Sequence, residues 1–254
     1  MIIGFIGTGK IASSIIYGIF KSKIKIKKIY ISSRNRNIAK KLSKKFKTVE
    51  ISSNNQKIIN LSSTIILCVT PVVGRKLLPK LKFPKNKNII SLISTMKLND
   101  LRKIIKCKNV CKAIPLPPIE NRLGPIILNP SNKNAKKIFS YLGKIIEIKD
   151  EKISQSFWAT SSLMAAYYEI LNLSTNWLVK KGLNKKIATF YISELFFALS
   201  KDAVNKRSFG FKKLVAESQT PKGLNMQVLK ELKKTKFYDK FILALNNVHK
   251  RMRK

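Results

Sequence analysis

The sequence predicts an α/β protein: a Rossmann-type, doubly wound parallel sheet over residues 1–149, followed by an all-helical segment over residues 150–254. Three observations carry this reading. Residues 1–149 alternate short apolar strand-like runs with helical ones, the order that builds a parallel sheet covered by helices. The first run ends in Gly7-Thr8-Gly9-Lys10-Ile11-Ala12, a glycine turn between a strand and the start of a helix. From Lys149-Asp150-Glu151 onward no strand pattern returns and long helical periods take over.

The first strand lies within Met1–Ile6, and the helix after the turn contains Ile15-Ile16-Tyr17-Gly18-Ile19-Phe20. Lys27-Lys28-Ile29-Tyr30-Ile31-Ser32 reads as the second strand, with a Lys-rich helix near 36–46 and a short strand near 47–51. Ile65-Ile66-Leu67-Cys68-Val69 is continuously apolar, as a strand covered on both faces must be. Pro71 stops it, and a helix near 72–81 leads to a strand over Asn88–Ile93. A helix at about 98–106 precedes the strand Val110–Ile114, which the turn Pro115-Leu116-Pro117-Pro118 closes. Gly124–Leu128 and Ile145–Ile148 are the last strands, with a helix over 132–142 between them. In the second part, helices are predicted from about 152, then near 163–178, 184–205, 221–234 and 236–250. The stretch from Leu163 to Leu178 is apolar nearly all round, through Met164, Tyr167, Tyr168, Ile170, Leu171, Leu173 and Trp177. A helix apolar on every side needs cover on every side, and a segment this small finds it on a partner subunit.

The glycine turn is the first functional signal. Gly7-x-Gly9-x-x-Ala12 has the dinucleotide-binding spacing of a Rossmann-type sheet. Its first glycine allows the sharp turn, its second leaves no side chain between backbone and diphosphate, and Ala12 lets helix and strand pack closely. Gly7 to Ala12, with Thr8, Lys10 and Ile11 between, are therefore expected to cradle the cofactor at a helix N-terminus. The second strand ends in Ser32-Ser33-Arg34-Asn35, where NAD-binding sheets carry an acid for the ribose 2′-hydroxyl. Hydroxyls and a guanidinium suit a 2′-phosphate instead, so Ser33 and Arg34 predict NADP(H), with NAD(H) the alternative. Val69-Thr70-Pro71 ends the next long strand at the mouth of the sheet, beside the expected nicotinamide ribose; Thr70 also reads as a helix N-cap.

Bulk composition bounds the remaining classes. The chain has 52 Lys+Arg against 12 Asp+Glu, a net charge of +40. Such a field favours anionic cofactors and substrates and raises the question of nucleic acid. The lysines are scattered between Ile and Asn rather than gathered in one stripe, and aromatic residues do not interleave with them, so nucleic acid is not the expected partner. Cys68, Cys107 and Cys111 form neither a disulfide framework nor a zinc spacing, which predicts a reduced, cytoplasmic setting without metal. No run approaches the roughly 20 apolar residues of a membrane span, and no secretory pattern is read at the N-terminus. The single histidine, His249, lies among basic residues and is expected at the surface.

These segments together resemble the pyrroline-5-carboxylate reductase family over essentially the whole chain. Gly4–Ala12 is similar to that family's opening, Ser32-Ser33-Arg34-Asn35 falls at its NADP phosphate pocket, and Asn55 matches an asparagine that touches the cofactor ribose. Cys68-Val69-Thr70-Pro71 stands where the family has Ala-Val-Lys-Pro, and Ile93-Ser94-Thr95 replaces its cofactor-side Ala-Ala-Gly. Ile114–Pro118 falls on Met-Pro-Asn-Thr-Pro. Thr220-Pro221-Lys222-Gly223-Leu224-Asn225 aligns with Ser-Pro-Gly-Gly-Thr-Thr. The resemblance implies a helical dimerisation domain over 150–254 and a homodimer or higher homo-oligomer. It also implies Ser94 and Asn55 in the cofactor site, and Thr220, Pro221, Lys222, Gly223 and Asn225 around the substrate.

The 220–225 loop also reads as a helix opening in its own right, with Thr220 as N-cap, Pro221 in the first turn and backbone N–H groups free to receive a carboxylate. The acids Glu120, Glu169, Glu194 and Glu217 show no paired spacing for acid–base work. Reduction of a protonated cyclic imine tolerates that poverty, because the protein has only to position cofactor and substrate. The expected activity is NADPH-dependent reduction of a cyclic imino acid, by default 1-pyrroline-5-carboxylate to L-proline, with Asn225 near the ring nitrogen. A related imine or keto reductase, or a non-catalytic nucleotide- or nucleic-acid-binding protein, is the alternative.

Overall fold

The computed structural model describes residues 1–253. They divide into two compact units, one holding Met1–Ala159 with the C-terminal segment from His249, the other holding Thr160–Val248.

In the first unit the strands are β1 (Ile2–Ile6), β2 (Lys28–Ser32), β3 (Val49–Ser52), β4 (Thr64–Leu67), β5 (Asn88–Ser91), β6 (Val110–Ile114), β7 (Pro125–Asn129) and β8 (Lys144–Glu147). They form one sheet in the order β3-β2-β1-β4-β5-β6-β7-β8. All neighbours pair in parallel except β6 with β7, which run antiparallel. The order therefore reverses between β1 and β4, which opens a crevice at the carboxyl ends of those strands.

Side chains along each strand alternate between two cores. Ile3, Phe5, Ile66 and Ile90 join α1 (Lys10–Phe20), α2 (Arg36–Lys45) and α6 (Lys133–Phe139) on one face. Ile6, Ile65, Leu67 and Ile89 join α3 (Asn55–Leu61) and α5 (Leu98–Ile105) on the other. Helix α4 (Pro71–Leu77) follows β4 directly, and Pro71 occupies its first turn, where a missing N–H costs nothing. All eight strands expected from the sequence are present. Helix α3 was not expected: seven residues are too short to show a helical period, and Asn54 makes it by capping the N–H groups of Gln56 and Lys57.

After α7 (Glu151–Ser161) the second unit is helical: α8 (Met164–Lys180), α9 (Lys185–Asn205), α10 (Phe211–Glu217), α11 (Leu224–Lys234) and α12 (Phe237–Arg253), the last continuing into the first unit. Helices α8 and α9 form a hairpin around Gly182, which takes a positive φ of 96°. Within the single chain the apolar helices are not covered. Trp177, Leu173, Phe190, Tyr191, Phe197 and Leu199 are each more than half exposed. Large exposed apolar faces of this kind mark an association surface. Among the described residues no helix is long and apolar enough to cross a membrane.

Candidate functional site

The turn between β1 and α1 is built by hydrogen bonds reaching across to the end of β2. Gly7 takes φ +99°, and a Cβ placed there would stand 2.6 Å from the carbonyl oxygen of Cys68, so neither conformation nor space admits a side chain. The Gly7 N–H donates to Ser32 Oγ at 2.9 Å, and the buried Thr8 hydroxyl donates to the Ser32 carbonyl at 2.6 Å. Each such bond contributes about 1 kcal/mol, and together they tie the turn to the second strand. Gly9 differs. It is the N-cap of α1 with extended backbone, and a Cβ there would meet nothing within 4 Å. Its missing side chain therefore keeps open space in front of the helix N-terminus, where backbone donors and the helix dipole favour an anion.

That space continues into a cavity of about 560 Å³ lined by Gly7, Thr8, Gly9, Arg34, Arg36, Cys68, Val69, Thr70 and Val73 among others. A smaller cavity of about 110 Å³, also bordered by Gly7, Arg34, Val69 and Val73, adds Ser32, Ser33, Ser53 and Asn55. Arg34 and Arg36 are exposed, and among the described residues no carboxylate pairs with either. Asn55 holds a buried side-chain oxygen with no hydrogen-bond partner, a polar atom that a ribose hydroxyl would satisfy. Open room before a helix N-terminus, two unpaired guanidinium groups and an orphaned acceptor fit a phosphorylated dinucleotide.

Several residues expected at the cofactor do not border either cavity. Ala12 is fully buried beneath the turn, as close packing of helix on strand requires. Lys10 and Ile11 lie in the first turn of α1, Pro71 in that of α4, and Ser94 in the connection after β5, where its carbonyl faces the Lys112 ammonium at 3.4 Å. Ser32 has an inward role that differs from phosphate binding: it is 5% exposed and serves the glycine turn. Arg36 was not singled out from the sequence; its place one residue after the N-cap Asn35 of α2 brings it to the cleft. Cys68 borders the cleft, but burial pushes its thiol well above the ordinary range, and burial pushes Cys111 up to about 12, so neither is a ready nucleophile. Glu120 lies 4.0 Å from Lys21, at the end of α1 opposite the glycine turn. His249 meets the Ser156 hydroxyl at 3.4 Å, and among the described residues no group of metal-ligating side chains occurs.

The loop at 220–225 in the second unit is arranged differently from the sequence expectation. Thr220 is not the N-cap and Pro221 is not in the helix: α11 begins at Leu224, with Gly223 as its N-cap. A tight turn precedes it, closed by the Gly223 N–H donating to the Thr220 carbonyl at 2.9 Å. Lys222 adopts φ +61° within that turn. This left-handed conformation costs a non-glycine residue about 1–2 kcal/mol, and Lys222 replaces a glycine of the resembling motif. Asn225 Nδ2 donates to the Ser218 carbonyl at 2.8 Å. Because a carbonyl only accepts, that bond fixes the amide orientation and leaves Asn225 Oδ1 free to accept. Lys222, Gly223, Met226, Gln227, Lys230 and Glu231 line a hollow of about 220 Å³ beside the helix N-terminus.

Two protein-family models match the chain. Residues 2–96 match the family described as NADP oxidoreductase coenzyme F420-dependent, and residues 150–254 match pyrroline-5-carboxylate reductase dimerisation. The pyrroline-5-carboxylate reductase of Arabidopsis thaliana is 24% identical, the alignment covering 99% of this chain and 94% of that protein. The 1-pyrroline-5-carboxylate reductase structure from Streptococcus pyogenes superposes with a TM-score of 0.86 at 21% identity, covering 99% of this chain and 98% of the other. The Plasmodium falciparum pyrroline carboxylate reductase, solved with NADP bound, gives 0.84 at 24% identity, covering 98% and 96%. Fold, cleft and family matches together define an NAD(P)-dependent oxidoreductase whose cofactor is NADP(H). Residues 150–254 belong to the pyrroline-5-carboxylate reductase dimerisation family, and the chain is similar to pyrroline-5-carboxylate reductases over nearly its whole length.

Proposed function

We propose that the protein reduces a cyclic imino acid with NADPH, and that 1-pyrroline-5-carboxylate, giving L-proline, is its substrate. The observation that carries this reading is the match of residues 150–254, which include the 220–225 loop, to the pyrroline-5-carboxylate reductase dimerisation family. When bound, NADPH would supply a hydride to the imine carbon, with the C=N π pair passing to the protonated nitrogen. The chain's own residues bind and orient. Arg34, with Ser33 and Arg36 beside it, holds the 2′-phosphate, and the turn from Gly7 to Gly9 receives the diphosphate. In the 220–225 loop, the N-terminal backbone donors of α11 and the Lys222 ammonium receive the substrate carboxylate. Asn225 Oδ1 accepts from the protonated ring nitrogen, held in that orientation by its bond to Ser218.

A screen of NADPH oxidation with five- and six-membered cyclic imino acids tests this directly. Asn225→Ala is expected to lower kcat about 10- to 100-fold, the loss of one hydrogen bond to a charged group, without changing the dissociation constant for NADPH. Unchanged turnover would remove Asn225 from the mechanism. A second reading is favoured by Lys222, which adds a cation where the motif has a glycine: the substrate then carries a second acidic group. An imine dicarboxylate in the same screen, turned over faster than pyrroline-5-carboxylate, would establish it.

We further propose that the exposed apolar faces of α8 and α9 close a homodimer. Phe190 is 68% exposed in the single chain and lies on this surface. Phe190→Asp is expected to convert the dimer to monomer in light scattering after gel filtration, because an unpaired carboxylate cannot be buried in an apolar interface. A variant that elutes with the native mass would place the interface elsewhere.

A further inference from the structure

We propose that Lys112 is a positioning residue for the nicotinamide half of the cofactor, holding the connection after β5 in place through the backbone carbonyls of Ser94 and Met96. The inference rests on reading the cleft beside Gly9 as the NADP(H) site.

Lys112 sits in the middle of β6, a strand buried along its whole length, and is itself 3% exposed. Its ammonium donates to the Met96 carbonyl at 2.8 Å, to Glu151 Oε1 at 3.0 Å and to the Ser94 carbonyl at 3.4 Å, which uses all three donors. Burial pushes the Lys112 pKa down, and the Glu151 carboxylate holds it against that fall. Apolar side chains in place of a whole buried ion pair are commonly as stable or more so, although removing one partner alone is costly, so stability alone gives no reason for a lysine–glutamate pair there. The partners of Lys112 do. Both carbonyls belong to the same short connection between β5 and α5, and the anchor, Glu151, reaches in from α7 to accept from the Leu98 N–H at 2.9 and 3.1 Å. That bond caps α5, whose own N-cap residue, Lys97, makes no side-chain cap.

The connection held in this way forms the floor under the cleft wall. Ile93 and Met96 are 1% and 2% exposed and belong to the core that Val69 packs against. A Cβ built on Gly74 would stand 3.0 Å from Ile93 Cδ1 and 3.1 Å from Met96 Sδ, so α4 rests directly on these two side chains. Val69, which lines the cleft, packs against the same core, and Val73, also lining it, directly precedes Gly74 in α4. Sheet order decides which half of the ligand feels this. The order reverses between β1 and β4, and Ser33 and Arg34 take the adenosine half at the end of β2. The other half must cross to the ends of β4 and β5, which is where Lys112 acts.

The test compares NADPH with adenosine 2′,5′-bisphosphate, which carries only the adenosine half, in binding titrations of the full chain. Lys112→Met is expected to weaken NADPH at least tenfold and the bisphosphate less than twofold, with Lys112→Arg restoring NADPH affinity. Glu151→Gln, which keeps an oxygen for the Leu98 N–H, is expected to show the same split and serves alone where Lys112→Met does not fold. Equal weakening of both ligands, or of neither, would overturn the proposal. Failure of the native protein to bind either ligand would instead overturn the cleft reading on which it rests.

Discussion

Valine at position 9 is expected to abolish NADP(H) binding while lowering the melting temperature by only a few degrees. The backbone there is already extended, with φ −91° and ψ −169°, and the added Cβ touches nothing within 4 Å. The folded chain loses only the better N-cap, about 1 kcal/mol, but the isopropyl group fills the space before the helix that a diphosphate needs. Gly7→Ala should behave in the opposite way. With φ at +99° and the Cys68 carbonyl oxygen 2.6 Å from the new Cβ, the turn itself must move, at a cost of about 3 kcal/mol or more. Thermal denaturation and NADPH fluorescence titration of both variants measure the contrast. Normal cofactor binding by Gly9→Val would show that the anion site has been misplaced.

Arg34→Ala is expected to weaken NADPH by about 10- to 100-fold and NADH by less than twofold. A hydrogen bond to a charged group is worth about 1.5–3 kcal/mol, and only the 2′-phosphate of NADPH can use it. Arg34 borders both cavities of the cleft, and no acid takes the place at the end of β2 that a ribose 2′-hydroxyl would require. The ratio of kcat/KM for the two cofactors reads the effect once a substrate is in hand, and direct titration reads it before then. Equal losses for both cofactors would assign Arg34 to the diphosphate or to the loop itself, and NADP selectivity would need another source.

How much of this was legible in the chain follows from how local each signal is. A strand covered on both faces announces itself in a continuous apolar run such as Ile65–Val69, and the other strands show as shorter apolar runs alternating with helical ones. The glycine turn is a six-residue pattern with its own steric logic, and Gly7 and Gly9 divide the work as that logic requires. The helical second part was equally plain, and so was the need for outside cover on α8, because an apolar helix face left open in the chain must be met by something. At the 220–225 loop the local reading slipped by three residues. Thr220-Pro221 is a good helix opening by composition, but the turn closed on Gly223 absorbs both, and Lys222 enters the left-handed region that composition would reserve for glycine.

Other features have no local signature. Ser32 looked like a ligand for phosphate, yet it accepts the N–H of Gly7 twenty-five residues away. Lys112 was one lysine among many until β6 placed it between two carbonyls and Glu151, thirty-nine residues on. Arg36 joined the cleft as the first residue of α2, directly after the N-cap Asn35. Periodicity, turn chemistry and residue type act over a few residues, so they settled the strands, the longer helices and the cofactor class. Hydrogen bonds between buried groups join residues that only folding brings together. The latch on the glycine turn and the buried lysine therefore came from the packed chain alone.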